Sequence, residues 1–269
     1  MRILFVADVI GSPGRKVAKG LLRLLRAEHA VDAVVLNGEN SAGGFGITPD
    51  AVTEFFGMGV DVITTGNHIW DKREILPVLD REPRLLRPAN FPRVNPGHGV
   101  TSVEIGGVRL AVVNLQGRVY MTPIDDPFRM ADEIVTELTE TADVIVVDFH
   151  AEATSEKQSM GYWLDGRVSA VVGTHTHVQT ADERILPGGT AYITDLGLTG
   201  SLGGVIGMKL EASLQRQLTQ AKGDRMQPAD TELHLQGALV DVDEETGRAR
   251  SITRISVPFE RVAEAPGSV

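Results

Sequence analysis

The sequence of 269 residues contains no cysteine, which excludes disulfide bonds and thiolate metal ligands. The absence of cysteine suits a reducing compartment, so we expect a cytoplasmic protein. No apolar stretch approaches the roughly 20 residues that a membrane-spanning helix needs. A strand-like run follows Met1 and Arg2 at once, which predicts that there is no signal peptide.

Aromatic residues make up only 5% of the chain, but the hydrophobic content of 42% is ample for a sizeable core. Basic residues are also in deficit, because 26 Lys and Arg stand against 36 Asp and Glu, for a net charge of −10. A negative field repels long phosphate backbones, so we expect no stable binding of nucleic acid. It does not keep a small phosphate ester from a locally positive metal centre.

Helical and strand-like segments alternate along the chain, and glycine-centred hairpins interrupt them. This pattern predicts an α/β fold in which two mixed β-sheets are flanked by helices. The length favours a single domain, which we place at residues 1–262, with a flexible tail at 263–269.

Capping residues followed by proline predict where two of the helices begin. These pairs are Ser12-Pro13 and Thr48-Pro49. Two further helices are predicted at 71–80, interrupted or ended near Pro77, and at 127–141. The predicted hairpins lie at 100–114, 184–194 and 232–257.

The most informative feature of the sequence is a set of five polar clusters, each at the end of a short apolar run. Such runs, rich in β-branched residues, are typical of strands buried on both faces. Ligands of α/β proteins bind where strands end, so we expect the clusters to meet along one edge of a sheet. In chain order the clusters are Asp8, residues 38–40, residues 66–68, His150 and residues 173–177.

These clusters contain the donors that a two-metal hydrolase requires. Two metals, roughly 3.5–4 Å apart, would activate water and neutralise charge on a phosphoryl group. Nitrogen and oxygen donors without sulfur favour manganese, iron or zinc over calcium. The carboxylate donors are Asp8 and Glu39, the amide donor is Asn67, and the imidazole donors are His150, His175 and His177.

Each cluster taken alone also has a structural explanation. Asp8 could cap a helix, residues 38–40 could form a turn, and His150 could be a hydrogen-bonded core residue. The two histidines of 173–177 are more informative, since alternate residues of an extended segment point the same way. The prediction of a metal site therefore depends on all five clusters occurring together.

The order of the clusters resembles the calcineurin-like metallophosphoesterase superfamily, and within it the YmdB family of bacterial phosphodiesterases. The resemblance extends from Arg2 to about Val257. It implies a metallophosphoesterase-like sandwich and two bound metal ions, iron or manganese before zinc. The motifs that carry it are Asp8-Val9-Ile10-Gly11, residues 38–44 and residues 174–180.

The resemblance also implies a role for each donor and a reaction. A metal-bound hydroxide would attack a small phosphate ester, with 2′,3′-cyclic nucleotide monophosphates as the favoured substrates. His68 would face the scissile phosphate, where it could protonate the leaving oxygen as a general acid or bind a phosphoryl oxygen. The implied metal ligands are Glu39 as the bridge, Asp8 and His177 at one metal, and Asn67, His150 and His175 at the other.

Two positions depart from the wider superfamily, although both fit the YmdB pattern. Ile10 stands where the first motif usually has a histidine, and Glu39 followed by Asn40 stands where the second usually has an aspartate. The first metal therefore lacks the imidazole that this motif usually supplies, and Asn40 is the nearest replacement. In the glycine-rich loop 41–46, Phe45 could stack on a base, but an ordinary surface loop explains it equally well.

Two other functions remain open from the sequence. One is a phosphomonoesterase, such as a nucleotidase or a protein phosphatase. Broader phosphodiesterase activity is also expected, because metals recognise phosphate more strongly than they recognise a base. The other is a regulatory scaffold that senses a nucleotide without turnover. The sequence leaves open the physiological substrate, the native metal and whether the chain forms a homo-oligomer.

Overall fold

The computed structural model describes residues 1–220, 223 and 225–264. The strands are β1 (Arg2–Val6), β2 (Asp8–Val9), β3 (Ala33–Asn37), β4 (Val62–Thr64), β5 (Val100–Ile105), β6 (Val108–Gln116), β7 (Val144–His150), β8 (Ala170–Thr174), β9 (Arg184–Ile185), β10 (Ala191–Ile193), β11 (Leu198–Ser201), β12 (Leu233–Val242) and β13 (Ala249–Pro258). The α-helices are α1 (Gly11–Glu28), α2 (Pro49–Gly57), α3 (Leu76–Leu79), α4 (Pro127–Leu138), α5 (Thr154–Trp163) and α6 (Leu210–Thr219). Short 3₁₀ helices cover Arg73–Ile75 and Phe259–Glu264.

The strands form two mixed sheets, which confirms the predicted fold class. The first sheet has the order β2-β11-β12-β1-β3-β4, with β13 also paired to β12, and β1, β3 and β4 run parallel. The second has the order β5-β6-β7-β8-β10-β9, and β6, β7, β8 and β10 run parallel. Parallel strands end at the same edge of a sheet, so the residues that follow them are brought together.

Side chains that alternate along each strand fill two different cores. Ile3 and Phe5 of β1 pack between the sheets against residues such as Val146 of β7, whereas Leu4 and Val6 pack against α1 and α2. A third cluster packs α4 and α5 on the outer face of the second sheet. The protein therefore has four layers, with the two sheets inside. Strands buried on both faces explain why their sequences are continuously apolar.

The helix starts were predicted with mixed success. Thr48 caps α2 by accepting a hydrogen bond from Ala51 N at 3.3 Å, as predicted. The prediction for Ser12 is wrong, because α1 already begins at Gly11 and no side chain caps it. Gly14 N bonds to the Ile10 carbonyl at 3.0 Å, which starts the helix before Ser12 can cap it.

The remaining helix predictions need correction in their limits. The segment 71–80 is a 3₁₀ helix followed by the short α3, with Pro77 in the first turn of α3 rather than at an interruption. Helix α4 ends at Leu138, before the predicted end at residue 141. All three predicted hairpins are present.

The elements that were not predicted are β2, α5, β11, α6 and the 3₁₀ helix Phe259–Glu264. Helix α5 buries Glu156 and Lys157 together with Met160, so it has no apolar stripe that periodicity could reveal. The predicted tail lies outside the described residues from residue 265 onward. Among the helices of the described part of the chain, none combines the length and the apolar character needed to cross a membrane.

Candidate metal centre

The polar clusters of the sequence meet where the parallel strands of both sheets end. Asp8 follows β1, Glu39 and Asn40 follow β3, and Asn67 follows β4 in the first sheet. In the second sheet, His150 is the last residue of β7, and His175 and His177 follow β8. The sheets face each other, so donors from both reach a common centre.

The first donor group surrounds His150 Nε2. Asn67 Oδ1 lies 3.0 Å from this nitrogen, His175 Nδ1 lies 3.0 Å from it, and Glu39 Oε1 lies 3.2 Å from it. The ligating atoms of Glu39, His150 and His175 all lie within 4.8 Å of one another. This spacing is close enough for one cation to contact all of them.

The second donor group contains Asp8, Glu39 and His177, whose ligating atoms also lie within 4.8 Å of one another. His177 Nε2 lies 3.7 Å from Asp8 Oδ1, which is too long for a hydrogen bond. Asn40 Nδ2 donates to Glu39 Oε1 at 2.9 Å and lies 3.3 Å from His177 Nε2. Glu39 belongs to both groups, so its carboxylate joins them.

Hydrogen bonds behind the histidines fix which nitrogen faces the centre. Thr174 Oγ1 donates to Asp148 Oδ1 at 2.7 Å and therefore accepts from His150 Nδ1 at 2.9 Å. His177 Nδ1 donates to the Ile206 carbonyl at 3.0 Å. Partners of this kind are typical of metal-ligating histidines, because they orient the ring and select its tautomer.

The third histidine is held from the cavity side. His175 Nε2 lies 3.0 Å from Glu152 Oε2, so this nitrogen carries a proton and Nδ1 presents its lone pair. Lone pairs of His175 and His150 then converge with the oxygens of Glu39 and Asn67. Such an arrangement requires a proton or a cation between the atoms, since all of them are acceptors.

Two more oxygens support a cation in the second group. Asp8 Oδ1 and Asn40 Oδ1 are buried and accept no hydrogen bond from the described residues. Asn40 Nδ2 occupies the position near His177 Nε2, so Oδ1 would reach the same point only after a half-turn of the amide. A buried polar atom without a partner is costly, and a metal ion would satisfy an oxygen of this kind. The donor set therefore fits two metal ions that share Glu39.

The charges of the centre depend on one another. Burial alone would raise the pKa of Glu39, but the neighbouring His150 lowers it to about 2. Burial opposes a charge on His177, but Asp8 raises the pKa of that imidazole to about 9. Burial and the nearby His150 lower the pKa of His175 to about 3. Without a metal, protons occupy the places that a cation would take, so metal binding would release protons.

The backbone carrying two of the histidines is not extended, contrary to the sequence interpretation. His175 has a φ of 99° and His177 a φ of 62°, both in the left-handed half of the map. Residues 67–70 likewise form a turn after β4. The side chains thus converge through loop geometry and not through the two-residue alternation of a strand.

His68 lies beside the donor groups and faces the cavity, with 29% of its side chain exposed. Its backbone N donates to Glu39 Oε2 at 3.2 Å, and its Nδ1 lies 2.9 Å from Asp71 Oδ2. The Asp71 carboxylate orients the ring, which leaves Nε2 free. Phe45 packs edge-on against the ring, with centroids 5.1 Å apart.

A cavity of about 350 Å³ opens over the centre. Phe45, Met208 and Met226 provide an apolar wall, and Glu152 and His175 provide a polar one. Among the described residues that line the cavity, Arg216 of α6 is the one Lys or Arg side chain. The cavity therefore has room and contacts for an anionic ligand with an apolar part.

Two residues beside the donors, Ile10 and Gly66, determine how closely the neighbouring side chains pack. Ile10 is buried in a small apolar cluster with Leu198 and Met208, so it packs beside the centre without offering a donor to it. A β-carbon at Gly66 would overlap the His150 ring and the Glu39 carboxylate. A glycine is therefore required beside these two donors.

Sequence reasoning missed several residues that support the centre. Asp148 is a charged residue inside the buried β7 run, which is a signal that could have been used. Burial raises the pKa of Asp148 to about 6, although hydrogen bonds from Thr64 and Thr174 oppose the rise. Glu152 carried no signal in the sequence, because it is a single acidic residue in the short loop between β7 and α5.

The model of the YmdB-like protein family matches residues 4–255. The chain is 49% identical to a 2′,3′-cyclic-nucleotide 2′-phosphodiesterase of Bacillus subtilis, over 96% of this chain and 97% of the relative. A crystal structure of a novel phosphatase of Mycoplasma pneumoniae superposes with a TM-score of 0.90 at 32% identity, covering 98% of this chain and 96% of that one.

A calcineurin-like phosphoesterase of Bacillus subtilis, YfkN, has a TM-score of 0.60 at 11% identity, covering 96% of this chain and 90% of that one. At this identity the likeness concerns the fold alone, which is the metallophosphoesterase sandwich that the sequence predicted. The match over nearly the whole chain leads to one conclusion: this protein belongs to the YmdB-like protein family.

Proposed function

We propose that this protein is a metal-dependent phosphodiesterase that hydrolyses 2′,3′-cyclic nucleotides. The observation that carries the proposal is the pair of donor groups joined by Glu39 beneath a cavity of about 350 Å³. The relative that is 49% identical over nearly the full length has this activity in its name. That name also specifies which bond is cleaved: the bond between phosphorus and the 2′ oxygen, which leaves a 3′-phosphomonoester.

The proposed metal ligands form two sets that share the Glu39 carboxylate. When bound, two metals would activate water and neutralise phosphoryl charge. The nitrogen and oxygen donors favour iron or manganese, with zinc as the next choice. A half-turn of the Asn40 amide would present its unpartnered Oδ1 to the same point as His177 Nε2. The first set is Asp8, Asn40, Glu39 and His177, and the second is Glu39, Asn67, His150 and His175.

The proposed work of His68 is to donate a proton to the leaving 2′ oxygen. The ring faces the cavity, and Asp71 holds its Nδ1 at 2.9 Å, so Nε2 can reach the substrate. A protonated ring beside the leaving oxygen would stabilise the charge that develops there. Phe45 and the methionines would contact the nucleoside, and Arg216 would contact an anionic oxygen.

A phosphomonoesterase is the second candidate, because the Mycoplasma pneumoniae structure is described as a phosphatase. Retention of the cellular role by a variant without turnover would favour a regulatory scaffold instead.

A cytoplasmic location, a homo-oligomer and the lack of nucleic-acid binding stay predictions from the sequence.

The substrate class is tested by comparing three phosphate esters at equal concentration. We expect the highest kcat/KM on a 2′,3′-cyclic nucleotide, lower values on an acyclic diester and the lowest on a nucleoside monophosphate. Product analysis by phosphorus NMR should give the 3′-phosphomonoester. A preference for the monoester would contradict the proposal and favour the phosphomonoesterase.

Glu39→Gln should weaken both metal sites at once, because one neutral amide would replace the carboxylate shared by both groups. Asp8→Asn should mainly weaken one site, so the variant should keep about one tightly bound metal. Elemental analysis of each purified variant, after dialysis against manganese or iron, measures the number of metal ions bound per chain. Wild-type metal content in Glu39→Gln would show that the carboxylate does not bridge.

Gly66→Ala should abolish metal binding without altering a donor. The added methyl group would overlap the His150 ring and the Glu39 carboxylate, so one of the two must move. Gly57→Ala is the matched control, since a β-carbon there meets nothing within 4 Å. The control should bind metal normally, and Gly→Ala at a compatible site adds about 0.4–1 kcal/mol to the free energy of unfolding. Normal metal content in Gly66→Ala would refute the proposed placement.

His68→Ala should retain both metals while turnover falls by roughly two to four powers of ten, the usual effect of losing a general acid. The loss should be smaller for a nitrophenyl diester, whose leaving group needs little protonation. Measuring metal content and kcat together tests this. Metal loss in proportion to activity would identify His68 as a ligand, and equal losses on both substrates would identify a phosphate-binding residue.

A further inference from the structure

We infer that a buried ion pair, Lys157–Asp195, acts through Thr176 to hold the loop 175–177 in the conformation that presents its two histidines. The inference rests on the proposed metal centre. Lys157 Nζ donates to Asp195 Oδ2 at 2.6 Å, and the side chains are only 2% and 0% exposed. Neither residue is among the proposed ligands.

The Asp195 carboxylate connects this ion pair to the histidine loop. Its Oδ2 accepts from Thr176 Oγ1 at 2.7 Å and from Thr176 N at 3.2 Å. Its other oxygen accepts from Gly197 N at 2.8 Å. The carboxylate therefore holds both the side chain and the backbone of the one residue that separates His175 from His177.

The position of Lys157 depends on Gly173 at the end of β8. A β-carbon at Gly173 would overlap the Thr194 carbonyl oxygen and would also meet Lys157 Cδ at 3.0 Å, so the glycine lets both the Thr194 backbone and the Lys157 side chain approach β8 closely. Leu196 N bonds to the Gly173 carbonyl at 2.9 Å, which ties the segment containing Asp195 to the same strand end. Three elements, α5, β8 and the segment after β10, thus meet directly beneath Thr176.

The loop needs such support because its backbone is unfavourable. A non-glycine residue with positive φ is uncommon, and this loop has two, at His175 and His177. Conformations of this kind persist only where the surroundings impose them. Thr176, fixed between the two, is the point at which a single clamp can act on both imidazoles. We therefore classify Lys157, Asp195 and Thr176 as positioning residues.

Thr176→Val tests the clamp, since it removes the hydroxyl and keeps the shape of the side chain. Lys157→Met is less suitable, because it leaves the buried Asp195 charge unpaired and would unfold this region. Thr176→Ser restores the hydroxyl. Thr190→Val is the control, because the Thr190 hydroxyl also has a structural hydrogen bond, donating to the Val168 carbonyl at 2.7 Å near the start of β8 and β10. Thr190 is fully buried whereas Thr176 is partly buried, so the control is the harsher test of general destabilisation.

Metal affinity and imidazole spectra are measured for the four proteins. We expect Thr176→Val to bind manganese about 10–100-fold more weakly, as is usual when a partner behind a ligand is lost. Thr176→Ser should bind as the wild type does, and Thr190→Val should lose thermal stability alone. In the metal-free proteins, the imidazole ¹⁵N signals of His175 and His177 should shift in Thr176→Val but not in Thr190→Val.

Unchanged imidazole signals and unchanged affinity in Thr176→Val would overturn the clamp. Equal losses of affinity in Thr176→Val and Thr190→Val would also overturn it, because they would reflect general destabilisation. A wild-type protein that binds no metal would instead contradict the proposed function. The spectra of the metal-free proteins would still decide whether Thr176 positions the loop.

Discussion

Glu39 is a fully buried carboxylate, and the polar centre of this protein depends on keeping it charged. Burial would raise its pKa, but His150 and two further imidazoles bring it down to about 2. The backbone of His68 and the amide of Asn40 both donate to it. A buried charge without such partners would be strongly destabilising. The surrounding donors are therefore needed for the fold as well as for the proposed chemistry.

The position of Glu39 between two facing sheets determines the rest of the arrangement. Its loop follows β3 of the first sheet, while His150 and the histidine loop belong to the second. Neither sheet alone carries a complete donor group, because each group combines residues from both. The packing of Ile3 and Phe5 against Val146 thus sets the distance between carboxylates and imidazoles. Changes in this core would be transmitted to the centre.

Support for the histidines comes in two physical forms. His150 sits on a regular strand, and its tautomer is set by Thr174 at the end of β8 together with Asp148 of its own strand, β7. His175 and His177 sit on strained backbone, and we infer that a buried ion pair holds them there. Rigid strands place donors with little strain, whereas loops allow directions that strands cannot give. The two donor groups of this centre therefore combine a histidine on a regular strand with histidines on a strained loop.

The sequence by itself determined the class of the fold, the strand ends at which chemistry is placed and the three predicted hairpins. These features are local, because apolar runs, glycine turns and a cap such as Thr48 express the preferences of neighbouring residues. Only the tertiary structure decided that Asp195 meets Lys157, 38 residues away, and that Glu152 faces His175. It also decided that residues 175–177 leave the extended conformation and that α1 begins before Ser12. Such contacts depend on which strand ends become neighbours when two sheets pack, and no local pattern of residues encodes that.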